Sequence, residues 1–190
     1  MSPFQEKHMS DLALSCDRYT YADYAKWDET FRCELIDGIV YMKPTPDVWH
    51  QSTLGNILYK LHNLLEGKSC KPIVGPFDIR LFPEKDGSDD NVVQADIIVV
   101  CDKDKLSDGK ACVGAPDIVF EVLSDSTKIM DLRVKRELYR SAGVKEYWVV
   151  AKDYAIRWLW TNDRDEEVRF IRVNGIISMQ VETLQAVIEI

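Results

Sequence analysis

Pro116-Asp117-Ile118-Val119-Phe120-Glu121-Val122-Leu123-Ser124 sets one acid, Glu121, inside an otherwise apolar run. Such a short run, bounded by Pro116 and by Ser124-Asp125-Ser126, reads as a core strand of a mixed or parallel sheet. A carboxylate there is costly unless it is ion-paired, hydrogen-bonded or bound to a metal. A second apolar run, Val93-Gln94-Ala95-Asp96-Ile97-Ile98-Val99-Val100, carries Asp96 at its head. If the two strands are neighbours, both carboxylates meet at one sheet edge, and a divalent metal site is expected there.

The 190 residues, 46% hydrophobic and 29% charged, suffice for one well-buried core. The expectation is therefore a single domain over 1–190, with 1–18 flexible and 154–190 a C-terminal β-hairpin extension. The five cysteines, Cys16, Cys33, Cys70, Cys101 and Cys112, form no Cys-x-x-Cys pair. That pattern argues for a reducing cytoplasm over a disulfide framework or a zinc site. No apolar h-region opens the chain, and no apolar run approaches the roughly 20 residues needed to span a bilayer. A cytoplasmic, non-membrane protein is expected.

A net charge of −8 is unusual for a nucleic-acid binder. Its distribution is uneven. Between Lys128 and Arg140, five cations face two acids, so that segment is +3 and the remainder −11. A solvated helix face explains such a run equally well. Metal-binding carboxylates would also inflate the acidic total without repelling a substrate once the ion is bound.

Thr20 and Asp23 suit a capping box for a short helix over Tyr21–Trp27. Glu34–Met42 reads as a hairpin turning at Asp37-Gly38, a type I′ signal. Leu54, Ile57, Leu58, Leu61, Leu64 and Leu65 line one face of a helix between Asp47 and Glu66, which Gly67 ends. Strands are expected over Ile73–Phe82, Val93–Cys101, Ile118–Leu123 and Glu146–Val150. A helix is expected from Thr127 or Asp131 to Ser141, ending at Gly143. A last hairpin pairs Ile156–Trp160 with Glu167–Ile171 through Asn162-Asp163. This order gives an α/β or α+β domain with a mixed central sheet flanked by helices.

Glu34, Asp96 and Glu121 are the carboxylate candidates. Mg²⁺ or Mn²⁺ needs only one or two carboxylates beside waters and phosphates. Asp96 serves equally as a strand-end cap or ion-pair member, and Lys135 alone could neutralise Glu121 without any metal. Asp131, Lys135 and Tyr139 stand four apart on one helix face, where an ordinary salt bridge is the simpler reading. Facing the carboxylates, Lys135 could instead stabilise a developing anion. His50, one turn before Leu54, is either a hydrogen-bonded core histidine or a group at the same site. Trp148, Trp158 and Trp160 read as core or interface aromatics. There is no phosphate loop, dinucleotide fingerprint or nucleophile elbow.

Taken in order, Glu34-Leu35-Ile36-Asp37-Gly38, His50-Gln51, Asp96-Ile97 and Ala115 to Ser124 form a series. Asp131, Lys135 and Tyr139 follow, and then Ala142-Gly143-Val144-Lys145-Glu146-Tyr147-Trp148. From Tyr19 to about Val150 the series resembles the Uma-two branch of the PD-(D/E)XK nuclease superfamily. The resemblance implies a restriction-endonuclease-like fold and metal binding by Asp96 and Glu121, with Glu34 in support. The chain departs from the superfamily pattern at Leu123, where the motif's lysine would stand, so Lys135 becomes the lysine candidate. Ala95 replaces the usual proline before Asp96, and Asp125 replaces the small or proline residue common between the two serines.

The resulting expectation is an endonuclease hydrolysing DNA phosphodiester bonds with Mg²⁺ or Mn²⁺. Asp96, Glu121 and Lys135 are its catalytic set, and Glu34, His50, Asp131 and Tyr139 are auxiliary. The alternative is a non-catalytic nucleic-acid or protein binding module on the same scaffold. A homodimer joined through the aromatic C-terminal hairpin is compatible with either.

Overall fold

Glu121 lies in a strand, Ile118–Val122, whose five residues are all buried. In the computed structural model, which describes residues 17–28, 30–124 and 127–190, this strand sits inside a six-stranded sheet. Cys16, Asp125, Ser126 and the expected flexible N-terminus up to residue 16 lie outside the described residues.

In chain order the strands are β1 (Cys33–Ile36), β2 (Ile39–Met42), β3 (Lys71–Val74), β4 (Asp78–Arg80), β5 (Val92–Val93) and β6 (Ile97–Val100). They continue with β7 (Ala111–Val113), β8 (Ile118–Val122), β9 (Glu146–Val150), β10 (Tyr154–Thr161), β11 (Arg164–Ile171), β12 (Ser178–Val181) and β13 (Ala186–Glu189). The α-helices are α1 (Tyr21–Tyr24), α2 (Val48–Leu65) and α3 (Arg136–Ala142). A π-helical stretch, Met130–Lys135, runs directly into α3, and 3₁₀ turns occupy Lys103–Leu106 and Glu182–Leu184.

The central sheet has the order β11-β10-β9-β8-β6-β3, with β8 and β9 parallel and its other pairs antiparallel. A second sheet has the order β2-β1-β5-β4-β7, and β12 and β13 form a separate hairpin. One core joins the central sheet to Leu54, Ile57, Leu61 and Leu65 of α2 and to Met179, Val181 and Ile188 of the last hairpin. The other lies between the two sheets and α3, with Ile36, Ile79, Val93, Val119, Tyr139 and Tyr147. Alternation along β8 assigns its side chains to these two cores. Ile118, Phe120 and Val122 enter the first, and Val119 enters the second. Glu121 shares the parity of Val119, so it faces the inter-sheet core.

Local sequence explains several elements. Asp37 and Gly38 both take positive φ, 49° and 74°, as a type I′ turn requires. Asp47 caps α2 by accepting the His50 backbone N–H at 2.7 Å. Gly143 closes α3 at φ 93°, with the Val144 N–H returning to the Tyr139 carbonyl.

Three expectations are corrected. Ile73–Phe82 is two strands in different sheets, β3 and β4, separated at Gly75-Pro76. The Gly75 N–H donates to the Asp96 carbonyl at 2.9 Å, and a Cβ at Gly75 would lie 2.6 Å from the Ala95 carbonyl oxygen. The single strand Val93–Cys101 likewise divides into β5 and β6, so Gln94, Ala95 and Asp96 form the crossing between the two sheets. Both breaks follow from packing two sheets against each other, which local propensity does not encode. Cys70 and Cys101 form a disulfide, against the expectation of none. They flank the paired strands β3 and β6, and antiparallel register makes them neighbours despite a separation of 31 residues. The hairpin β12–β13 has no counterpart in the sequence reading. Among the described residues no helix is long and apolar enough to cross a membrane.

Candidate active site

The β6–β8 register pairs Ile97 with Phe120, which puts Asp96 opposite Glu121 at the strand end. The two are tied reciprocally. Asp96 donates its backbone N–H to Glu121 Oε2 at 3.2 Å, and Asp96 Oδ2 accepts the Val122 N–H at 2.7 Å. Glu34, from β1 of the other sheet, reaches the same place through Oε1, which accepts the Gln94 N–H at 2.8 Å.

The helix beyond β8 supplies the cation. Lys135 Nζ donates to Glu34 Oε1 at 2.7 Å and to Glu121 Oε1 at 3.0 Å, and lies 3.9 Å from Asp131 Oδ1. Tyr139 Oη donates to Glu121 Oε1 at 3.0 Å. The simple i,i+4 pair expected from spacing is thus one edge of a larger network. The backbone here is π-helical over Met130–Lys135, a widened turn that recurs at functional sites. Tyr147, from β9, braces it by donating to the Asp131 carbonyl at 3.0 Å. His50, in the first turn of α2, places Nε2 3.0 Å from Asp96 Oδ2. Its buried Nδ1 has no partner among the described residues.

All seven residues singled out from the sequence therefore meet in one cluster. Two further members were missed. Lys43, directly after β2, donates to the Gln94 carbonyl and lies 3.6 Å from Glu34 Oε1. Gln94 carries the backbone groups that hold both Glu34 and Lys43. Its place two residues before Asp96 and the position of Lys43 next to Pro44 were the available signals, and neither identifies a partner across two sheets.

The electrostatics follow from burial. Desolvation pushes the Glu121 carboxyl up to about 8; Lys135 opposes this, while Asp96 and Asp131 reinforce it. Asp131 is raised by burial, only partly offset by Lys135. Burial would raise Glu34 as well, but Lys135 and Lys43 bring it below the usual range. Asp96 is likewise held low against burial by its hydrogen bond to His50, and that bond raises His50. Burial disfavours the charge on Lys135, yet Glu121, Glu34 and Asp131 hold its pKa well above the ordinary value. Four carboxylates, Glu34, Asp96, Glu121 and Asp131, thus face two lysines and one histidine.

This mixed sheet with acids at its edge is a restriction-endonuclease-like fold. The chain belongs to the Uma2 family, whose model, described as "Putative restriction endonuclease", matches residues 21–184. Among solved structures it is similar to one from Anabaena variabilis ATCC 29413 described as "a putative nuclease belonging to DUF820". That match has a TM-score of 0.69 and 14% identity, covering 88% of this chain and 91% of the other. Comparison with curated proteins gives no match.

Proposed function

We propose that this protein is a metal-dependent endonuclease that hydrolyses DNA phosphodiester bonds, with Asp96 and Glu121 as the metal-holding pair. The observation that carries this reading is Glu121. It is a buried acid raised to about 8, one strand across from a second carboxylate. Lys135 supplies too little positive charge for the carboxylates around it. The donor set fits a hard dication. Asp96 engages the protein through Oδ2 and leaves Oδ1 without a donor among the described residues. No group of three or more acidic, histidine or cysteine side chains forms a ready-made cage among the described residues. Mg²⁺ in particular takes one or two carboxylates and completes its shell with waters and phosphates.

When bound, such an ion neutralises phosphoryl oxygens and lowers the pKa of a nearby water. The side chains have separable tasks. Tyr139 and Lys135 fix one oxygen of Glu121, turning the other toward Asp96. His50 fixes Asp96 from the α2 side, and Lys135 joins Glu34 to Glu121 across the two sheets. The family match supports a nuclease, and restriction-endonuclease-like nucleases generally use divalent cations.

The test is to incubate the purified protein with supercoiled, linear, single-stranded and branched DNA in Mg²⁺ or Mn²⁺, beside Glu121→Ala. Cleavage by the wild type alone supports the assignment. Cleavage that survives in a folded Glu121→Ala protein removes it. A wild type inert on every substrate but still binding DNA would favour the non-catalytic module.

A further inference from the structure

Resting on that nuclease reading, we propose that Lys43 is the cation that contacts the scissile phosphate, and that Lys135 is an interior counter-charge. The cluster is graded from inside to outside. Lys135 is enclosed, its side chain 3% exposed. The members open to solvent are Lys43 at 17%, Asp96 at 15% and His50 at 12%. A phosphate arriving from solvent meets these three first.

Donor capacity separates the lysines further. An ammonium group has three N–H donors and no acceptor. Lys135 commits two of them to Glu34 and Glu121 and has Asp131 beside it at 3.9 Å. Its third donor is enclosed with the rest of the side chain, so a phosphate would have to be drawn into the buried cluster of carboxylates to reach it, which is costly. Lys43 commits one donor to the Gln94 carbonyl, and its 3.6 Å approach to Glu34 is too long for a hydrogen bond. It keeps donors for a ligand while remaining anchored. The anchor is firm, because the Lys43 backbone N–H donates to the Arg32 carbonyl at 3.0 Å and extends the β1–β2 ladder by one step. Its charge also reaches Glu34, Asp96 and Glu121, the acids around the proposed metal position.

The test measures binding of a short DNA duplex in chelator over a range of salt concentrations, and cleavage in Mg²⁺. It compares wild type, Lys43→Met, Lys43→Arg and Lys135→Met. Each phosphate contact contributes roughly 0.9 to the slope of log K against log salt. Lys43→Met is expected to flatten that slope by about one contact, which loss of a merely structural lysine would not do. It should also slow cleavage by about tenfold or more, while Lys43→Arg restores the slope. Lys135→Met is expected to lower the melting temperature and leave the slope of the folded protein unchanged. A wild type that cuts DNA together with a full slope in Lys43→Met overturns the Lys43 assignment and leaves the nuclease reading standing. A wild type that binds without cutting, with the slope reduced in Lys43→Met, upholds the phosphate contact and overturns hydrolysis. A wild type that neither binds nor cuts overturns both.

Discussion

Two glutamates are buried on the adjacent parallel strands β8 and β9, and they do different things. Glu146 points into the α2 core with Trp148 and Val150, toward the C-terminal hairpin. Its Oε1 accepts Trp148 Nε1–H at 2.8 Å and the Glu182 N–H at 3.1 Å, and its Oε2 accepts the Thr183 N–H at 2.7 Å. Every donor is neutral, and the carboxylate ties the start of the Glu182–Leu184 turn to the sheet. Glu121 points to the opposite face. It shares a lysine with Glu34, stands opposite Asp96, and is pushed up to about 8. Burial alone therefore does not mark a chemical site. The company does: a carboxylate held by neutral donors alone makes a structural bolt, whereas acids crowded around shared cations leave room for an ion.

The largest expected contrast is between their alanine variants. Glu121→Ala should reduce DNA cleavage by roughly a thousandfold, since it removes half of the proposed ion-holding pair. Its melting temperature should fall only modestly. The Asp96 N–H, Tyr139 hydroxyl and Lys135 N–H that it strands are offset by relief of the burial and acid crowding that push Glu121 up, and Lys135 retains Glu34. Glu146→Ala should do the reverse. It strands the buried Trp148 Nε1–H and the half-buried Glu182 and Thr183 N–H groups, so stability falls by about 2 kcal/mol or more. Cleavage should then track the folded fraction in a paired unfolding and activity measurement. Equal stability losses from the two variants would dissolve the distinction.

The pH dependence sharpens it. With Glu121 at about 8 and the ordinary glutamate value at 4.5, the folded chain holds a proton there that the unfolded chain releases. This contribution is fully present below about 4.5 and is lost as pH rises through about 8. His50, raised by Asp96, acts in the same direction. Metal-free protein should thus lose stability between pH 5 and 8, by about 1 kcal/mol per unit. Glu121→Gln should flatten that slope, and Mg²⁺ should oppose it by favouring the charged carboxylate. Thermal melts in chelator and in Mg²⁺ read both effects. A slope unchanged in Glu121→Gln would mean that other groups carry the titration.

The smallest effect is expected from Tyr139→Phe. It removes one hydrogen bond to Glu121 Oε1 and keeps the ring packed against Tyr147 at 5.1 Å. The loss should be about 1 kcal/mol, seen as a fall in cleavage of less than tenfold. A much larger fall would make the phenol part of the chemistry.

Much of this was legible in the chain. The apolar run around Glu121, the Asp37-Gly38 turn and the helical spacing of Leu54 to Leu65 are short-range patterns, and each became the expected element. Asp131, Lys135 and Tyr139 could be put on one helix face because their spacing is nearly helical, although the backbone there widens into a π turn. Glu146 was legible only as part of a strand, since its partners at Glu182 and Thr183 arrive from a hairpin the periodicity did not disclose.

The sequence by itself determined which residues are apolar, where β8, the β1–β2 turn and α2 lie, and which acids occupy strands too hydrophobic to leave them solvated. Tertiary structure alone decided that Val93–Cys101 divides between two sheets at Asp96, that Cys70 meets Cys101, and that Lys43 joins Lys135 beside Glu34. Those outcomes depend on contacts between segments tens of residues apart. The free energy of packing two sheets and a helix together selects them, and no local preference of the chain carries that information.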